Sequence, residues 1–150
     1  MLISLAHYLS EKQITFLKAK SRYEAIKALV DTLQDHPLVQ DLDLFHDAVL
    51  EREKMVSTAI GMGVAISHAK LPFYNDFFIL VGILQQGVDW DAPDEMPVRI
   101  VFLVGGPDDK QTEYLQILSF LTLSVKNEQN RKAILQAKSK KELLKFFQQF

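Results

Sequence analysis

The segment FFILVGIL, from Phe77 to Leu84, is the longest apolar run in the chain. Two further runs rich in apolar residues lie on either side of it, VAIS at 64–67 and VRIVFLV at 98–104. Short runs of this kind, bounded by Gly, Pro, Asn and Asp, are typical of strands that are buried on both faces. Such strands need helices on both sides, so these three runs predict the centre of a covered sheet.

The residues before these strands predict one more strand and two helices. The strand is Ile14–Leu17, and the capping box Ser21-Arg22-Tyr23-Glu24 opens a helix whose buried stripe is Ile26, Leu29, Val30 and Leu33. Pro37 lies at or just after the end of this helix. A second helix opens at Asp41 or Asp43 and ends near Arg52, and it is predicted to bury Leu44, Phe45, Ala48 and Val49.

The last third of the chain predicts three more helices. Residues Thr112–Val125 read as a mostly buried helix centred on Leu115, Leu118, Leu121 and Val125. Asn127 or Asn130 caps a short helix that carries Ile134 and Leu135. A second capping box, Ser139-Lys140-Lys141-Glu142, opens a final helix with the core stripe Leu143, Phe147 and Phe150.

This order of elements predicts an α/β (α+β) fold. We expect a mixed sheet of about four to five strands, flanked by helices on both faces in three layers, because the helices cluster at both ends of the chain. A length of 150 residues predicts a single domain that covers 1–150.

Composition excludes several classes of function. Lys and Arg total 17 against 19 for Asp and Glu, for a net charge of −2, and no block of like charge indicates a nucleic acid partner. The chain has no cysteine, which excludes disulfides, thiolate-bound zinc and thiol catalysis. No apolar run approaches the roughly 20 residues that cross a bilayer, and Met1–His7 has no basic segment before its apolar residues, so no membrane insertion and a cytoplasmic location are expected.

The segment REKMVSTAIGMGVAISH, residues 52–68, carries the densest chemical signal. It predicts a site for a small anion. Arg52 can bind a phosphoryl group through two N–H donors, and His68 is a nucleophile able to accept one. Together with Arg52, the hydroxyls of Ser57 and Thr58 and the backbone amides near Gly61 and Gly63 are the candidate phosphate ligands.

Other motifs do not fit this segment. The third glycine of G-x-G-x-x-G is replaced by Ile66, no G-K-[ST] follows, and no G-x-S-x-G elbow is present. The histidines, which are His7, His36, His46 and His68, lack metal-ligand spacing, so neither a metal nor a cofactor is predicted.

Each of these residues also has a simpler interpretation. Arg52 can be a solvated cation at a helix end, Gly61 and Gly63 a turn, and His68 a packing residue. Trp90 is interpreted as a loop anchor, and His36 and His46 as surface residues. Only the combination of residues in one segment favours a functional site.

That combination resembles the type-2 EIIA domains of the bacterial phosphoenolpyruvate-dependent phosphotransferase system, the fructose/mannitol and nitrogen-regulatory class. Their signature is matched by Arg52-Glu53, Ser57-Thr58 and GMGVAISH at 61–68. Asp89-Trp90, PVRIVFLVGGP at 97–107 and EYLQIL at 113–118 extend the resemblance over essentially the whole chain. In character the sequence is closest to the nitrogen-regulatory members.

The resemblance implies a phosphocarrier. In such a domain His68 takes a phosphoryl group on its outer imidazole nitrogen from phospho-HPr and passes it to EIIB or to a regulatory target protein. It also implies that Arg52 stabilises the phosphate and that no nucleotide is needed. No feature of the sequence specifies an oligomeric state.

Two positions depart from the family pattern. Ser67 stands where the family usually has proline, and Tyr114 stands where it has a second histidine. A phenol can donate one hydrogen bond but brings no positive charge. Lys70, two residues after His68, is a basic residue that can compensate.

Three functions remain open at this point. The first is a regulatory phosphocarrier of the nitrogen-regulatory type, and the second is the EIIA component of a split fructose- or mannitol-type permease. The third, which Ser67 and Tyr114 keep open, is a binding module that retains the fold without phosphoryl transfer.

Overall fold

The computed structural model describes residues 3–150, and a five-stranded sheet forms the middle layer of the protein. The strands are β1 (Ile14–Leu17), β2 (Ala59–Gly61), β3 (Val64–Lys70), β4 (Phe78–Val88) and β5 (Val98–Gly106). Their spatial order is β1-β4-β5-β3-β2. Strands β4 and β5 are antiparallel and β2 forms a hairpin with β3, whereas β1 runs parallel to β4 and β3 runs parallel to β5. The predicted mixed sheet is therefore confirmed.

Five α-helices accompany these strands within the described residues. They are α1 (Arg22–Asp31), α2 (Leu42–Met55), α3 (Gln111–Val125), α4 (Glu128–Gln136) and α5 (Lys140–Phe147). Two short 3₁₀ helices that the sequence did not predict, Leu5–Tyr8 and Glu11–Gln13, precede β1.

The helix starts follow the predicted capping chemistry. The side chains of Ser21, Asp41, Asn127 and Ser139 each accept a hydrogen bond from the backbone N–H three residues later. In the two capping boxes, the Glu carboxylate reaches back to the N–H of the residue before the cap, Lys20 or Lys138. Side-chain caps thus determine where four of the helices begin.

The sheet separates two hydrophobic cores. Val101 and Leu103 of β5 pack with α1 and α2 on one face, whereas Ile100, Phe102 and Val104 pack with α3, α5 and the N-terminal segment on the other. Alternate side chains of a strand point to opposite faces, so β5, which is apolar at almost every position, contributes to both cores. The predicted three-layer arrangement with helices on both faces is confirmed.

Two helix faces were predicted only in part: Phe45 and Val49 of α2 and Leu121 and Val125 of α3 are buried as predicted, but Leu44 and Leu115 are not. In α2 the buried stripe is Phe45, Val49 and Glu53, and the helix continues to Met55, while Leu44 is 42% exposed. In α3 the buried residues include Tyr114 and Ile117, and Leu115 is 53% exposed, so this helix is buried on one face only. Both helices carry apolar residues at adjacent positions, and only the packing on the sheet selects which of the two is buried.

Strand lengths also differ from the prediction. Strand β2 was not predicted, because three residues that end in glycine carry no periodic signal. Strand β3 continues to Lys70 rather than ending at Ser67, because β5 offers pairing partners up to Gly106. As a result His68 lies inside the strand, paired with Val104.

Candidate functional site

His68 lies on the face of the sheet that is covered by α3. It shares this face with Val64 and Ile66, which pack into the core beneath α3. The imidazole is half-buried and meets Tyr114 edge-on, with ring centroids 5.3 Å apart and an interplanar angle of 62°. The predicted acceptor and the residue at the predicted second-histidine position are therefore neighbours.

The Tyr114 ring packs between His68 and Phe77. It lies in the first turn of α3 and is 5% exposed. The ring of Phe77 stacks on it with centroids 6.2 Å apart. Burial raises the pKa of the Tyr114 phenol, while the positive charge of Arg52 acts in the opposite direction. The phenol is therefore neutral at physiological pH.

Arg52 approaches from the other layer, in the last turn of α2. Its Nη1 donates a hydrogen bond of 2.9 Å to the carbonyl of Val56, which holds the guanidinium over the segment that leads into β2. A guanidinium has five N–H donors, so others can face a ligand. The positive charge of Arg52 adds to burial in lowering the pKa of His68 and opposes the rise that burial causes in the pKa of Tyr114, so Arg52 lies near both groups.

These surroundings determine the protonation state of His68. Burial, then the charge of Arg52 and that of Lys70, lowers the pKa of its imidazole from 6.5 to about 4. The ring is therefore neutral at pH 7, and one ring nitrogen carries a free lone pair. A neutral imidazole beside positive charge is suited to attack an anionic electrophile.

Lys70 lies two residues beyond His68, on the same face of β3. Its Nζ lies 4.3 Å from the centroid of the Tyr114 ring and donates a hydrogen bond of 2.9 Å to Gln111 Oε1. A cation over an aromatic face is attracted by the ring quadrupole.

The hydroxyls of Ser57 and Thr58 are bonded within the protein. Ser57 Oγ donates to the carbonyl of Trp90 and accepts from the N–H of Ala59 at 3.2 Å. Thr58 Oγ1 donates to Glu53 Oε2 and accepts from Trp90 Nε1 at 3.0 Å. Each hydroxyl has a single proton, and in this arrangement both protons are used inside the fold. Their contact with a phosphoryl group stays a prediction.

A buried ionic network that the sequence did not predict lies behind these hydroxyls. Glu53 is 1% exposed and pairs with Arg22 Nη1 at 3.3 Å, and the same nitrogen donates to the carbonyl of Trp90 at 3.0 Å. The helical spacing of Glu53 from Val49 and Phe45 was the available signal, since it places Glu53 on the buried stripe. Trp90 is fully buried, so its predicted role as a loop anchor is confirmed.

Gly61 and Gly63 form the turn between β2 and β3. Gly61, Met62 and Gly63 have φ of +94°, +62° and +76°, a conformation that favours glycine. The Met62 N–H donates to Asp94 Oδ2 at 2.9 Å. This turn precedes β3, and His68 lies five residues after Gly63, about 16 Å away along an extended strand. The turn at the start of β3 is therefore distant from His68, which lies in the second half of the strand.

Ser67 and the remaining histidines lie outside the site. The Ser67 side chain is fully buried, alternates away from His68, and its Oγ has no hydrogen-bond partner within residues 3–150. His36 and His46, predicted as surface residues, are half-buried. His36 Nδ1 accepts from the N–H of Leu38, and burial lowers its pKa.

Across residues 3–150, no helix combines the length and the apolar character needed to cross a membrane.

Comparison with known proteins identifies relatives over most of the chain. Residues 7–150 match the family model described as phosphoenolpyruvate-dependent sugar phosphotransferase system, EIIA 2. A fructose-specific EIIA component from Haloferax volcanii is 36% identical over 116 residues, which cover 77% of this chain and 75% of that protein. A nitrogen regulatory protein from Bradyrhizobium diazoefficiens is 33% identical over 103 residues, or 69% of this chain and 67% of that one. The chain also spans 21% of a longer relative, the fructose-specific EIIABC component of Bacillus subtilis, at 29% identity over 89% of this chain.

Solved structures share the fold. The nitrogen regulatory protein IIA-Ntr from Neisseria meningitidis superposes with a TM-score of 0.89 at 22% identity, covering 95% of this chain and 98% of that chain. The mannitol IIA protein of Escherichia coli, solved in complex with phosphorylated mannitol IIB, gives 0.76 at 20% identity, with 93% and 96% covered. The family match over nearly the full length and the shared fold lead to one conclusion: the chain belongs to the EIIA 2 family of the phosphoenolpyruvate-dependent sugar phosphotransferase system.

Proposed function

We propose that this domain is a phosphocarrier that accepts a phosphoryl group from phospho-HPr on His68 and acts mainly in regulation. The observation that carries the proposal is the neutral imidazole of His68, half-buried beside Tyr114 and under the positive charge of Arg52. We expect the reaction to take place in the cytoplasm, with EIIB or a regulatory target protein as the acceptor.

The transfer step needs only groups that the site contains. The lone pair of the outer His68 nitrogen attacks phosphorus, and the bond from phosphorus to the donor imidazole of HPr breaks. The electron pair of that bond stays on the donor nitrogen, so no further reactant is required. Arg52 neutralises the equatorial oxygens, and phosphoryl transfer depends mainly on such positioning and charge.

The other predicted ligands have different roles in the proposed site: one is direct, two are indirect and two have none. Tyr114 can donate one hydrogen bond to the phosphoryl group. Ser57 and Thr58 fix the segment that carries Val56, the residue that Arg52 contacts, so their effect on the phosphoryl group is indirect. Gly61 and Gly63 shape the distant turn, and we do not assign them to the phosphoryl site.

Intact-protein mass spectrometry tests the proposal directly. The domain is incubated with phosphoenolpyruvate, Enzyme I and HPr, and its mass is compared before and after mild acid, which hydrolyses phosphohistidine. We expect one acid-labile phosphate in the wild type, in His36→Ala and in His46→Ala, and none in His68→Ala. Circular dichroism verifies that the variants fold. Phosphate that persists in folded His68→Ala would contradict the assignment.

A second candidate is the EIIA component of a split fructose- or mannitol-type permease. The 36% identity to a fructose-specific EIIA component favours it. The test is transfer from the labelled domain to purified fructose- and mannitol-type EIIB proteins. Rapid transfer to one of them would support the permease component, and no transfer to either would support the regulatory carrier.

A third candidate, a binding module without phosphoryl transfer, is favoured by Tyr114 at the position of the second histidine. It predicts that no phosphate is incorporated from phospho-HPr.

A further inference from the structure

Lys70 and Tyr114 form a contact that the transfer step above does not use. The ammonium of Lys70 lies 4.3 Å from the Tyr114 ring centroid, and the same ring is 5.3 Å from the centroid of His68. One aromatic ring therefore touches both the nucleophile and a cation.

The backbone makes this arrangement possible. Side chains two residues apart on a strand point to the same face, so Lys70 and His68 both project toward the first turn of α3. Gln111, in that same turn, accepts a hydrogen bond from Lys70 Nζ at 2.9 Å. The lysine stem is long and flexible, so the ammonium can also reach an anion bound beside it.

The Tyr114 ring is a rigid support for this cation. It is 5% exposed and stacks on Phe77, so its face has a fixed orientation. A second ionic partner for Lys70 would compete with a phosphoryl group, whereas an aromatic face and an amide oxygen hold the ammonium without neutralising its charge.

We propose that Lys70 supplies the second positive charge of the phosphoryl site and contacts the phosphoryl oxygens, and that Tyr114 is a positioning residue that holds the ammonium beside His68. This inference rests on the proposed function. It assigns to Lys70 the charge that a tyrosine at position 114 does not carry.

The transfer equilibrium between phospho-HPr and the domain tests the role of Lys70. Lys70→Gln removes the charge and is expected to lower the equilibrium ratio of phosphorylated domain to phospho-HPr about tenfold, the size of one charge-assisted hydrogen bond. Lys70→Arg keeps the charge and is expected to restore most of the ratio. Lys132→Gln, an exposed lysine on α4, is the matched control and is expected to match the wild type.

Double variants test the role of Tyr114. Tyr114→Phe keeps the ring face, so Lys70→Gln should still cost about tenfold in that background. Tyr114→Leu removes the face, and there the added effect of Lys70→Gln should fall to about twofold or less. Equal effects of Lys70→Gln in the Phe and Leu backgrounds would overturn the positioning role.

A second measurement does not depend on the relay. Nuclear magnetic resonance titration of the unphosphorylated domain is expected to give a higher pKa for His68 in Lys70→Gln than in Lys70→Arg, because a nearby cation has been removed. If the wild type takes up phosphate and Lys70→Gln reaches the wild-type ratio, this inference is overturned while the phosphocarrier assignment stands. If the wild type takes up no phosphate, both are overturned.

Discussion

His68 combines two properties that a phosphoryl acceptor needs. Its ring is neutral at pH 7, because burial and two nearby cations lower its pKa to about 4. Its exposed fraction is still large enough for a donor protein to reach it, since the ring is only half-buried. Burial and the two cations also make protonation of His68 unfavourable in the folded protein, so the free energy of unfolding depends on pH.

This linkage predicts a pH-dependent stability. Between pH 6.5 and about 4 the unfolded chain binds a proton at His68 and the folded chain does not, so the free energy of unfolding falls as the pH falls through this window. Relative to His68→Gln, the wild type should lose about 1–2 kcal/mol between pH 7 and pH 4.5, a value reduced for partial exposure of the ring. Urea unfolding at both pH values measures this difference, and equal losses in the two proteins would contradict it.

Tyr114 gives a second prediction at the residue scale. Tyr114→His introduces a group that a phosphoryl dianion can hold in its protonated form. In the Lys70→Gln background, it should therefore recover much of the lost transfer equilibrium with phospho-HPr, by about fivefold or more. The measurement is the ratio of phosphorylated domain to phospho-HPr at equilibrium. If the single variant Lys70→Gln and the double variant with Tyr114→His gave the same ratio of phosphorylated domain to phospho-HPr, a charge deficit at position 114 would be contradicted.

Part of the site was predictable residue by residue. Arg52 and His68 were identified from the segment 52–68 and Tyr114 from the family resemblance at 113–118, and in the structure Tyr114 lies beside His68 while the charge of Arg52 acts on both groups. The network of Glu53, Thr58 and Trp90 was missed, because it joins residues more than 30 positions apart. The distance of Gly61 and Gly63 from His68 was also missed, since it follows from β3 being extended through residue 68.

At the scale of elements, Thr58 joins α2, β2 and the loop after β4. Thr58→Val removes the acceptor of Trp90 Nε1–H and a donor to the buried Glu53. We expect a loss of about 2–4 kcal/mol in the free energy of unfolding, because the buried indole N–H of Trp90 and the Oε2 of Glu53 each lose a hydrogen-bond partner. Urea denaturation measures this loss.

Thr122→Val on the exposed side of α3 is the matched control for this change. Its exposed hydroxyl donates to the carbonyl of Leu118, and we expect a change within about 0.5 kcal/mol. If Thr58→Val were as mild as this control, the network would not be a source of stability.

The elements themselves were predictable to different degrees. Runs rich in apolar residues identified β4 and β5, and side-chain caps located the starts of four helices. The buried faces of α2 and α3 were predicted in part, because Leu44 and Leu115 lie next to the residues that the sheet covers. Strand β2 exists only through its pairing with β3, so no local pattern could reveal it.

At the scale of the whole molecule, one side chain can report on the entire fold. Trp90 is the only tryptophan in the sequence and is fully buried, in contact with Thr58, while Arg22 of α1 bonds to its carbonyl. We expect its fluorescence to shift to longer wavelength on unfolding, with the same midpoint as far-ultraviolet circular dichroism. Separate midpoints would mean that unfolding is not two-state and passes through a populated intermediate.

The strand order has a consequence for co-translational folding. Strand β1 cannot pair until β4 has been synthesised, because Ile14 pairs with Val81. Likewise β3 cannot pair with β5 until Ile100, the partner of Val64, has been synthesised. Strands β4 and β5 are thus the last strands of the sheet to be synthesised, and α1 and α2, which are made before them, lack the sheet surface on which they pack. Contacts between residues so distant in sequence form slowly, and apolar surface remains exposed to solvent until they form. A nascent chain in which β5 has not yet been synthesised therefore has an incomplete sheet, and we expect it to need protection from aggregation until β5 has emerged.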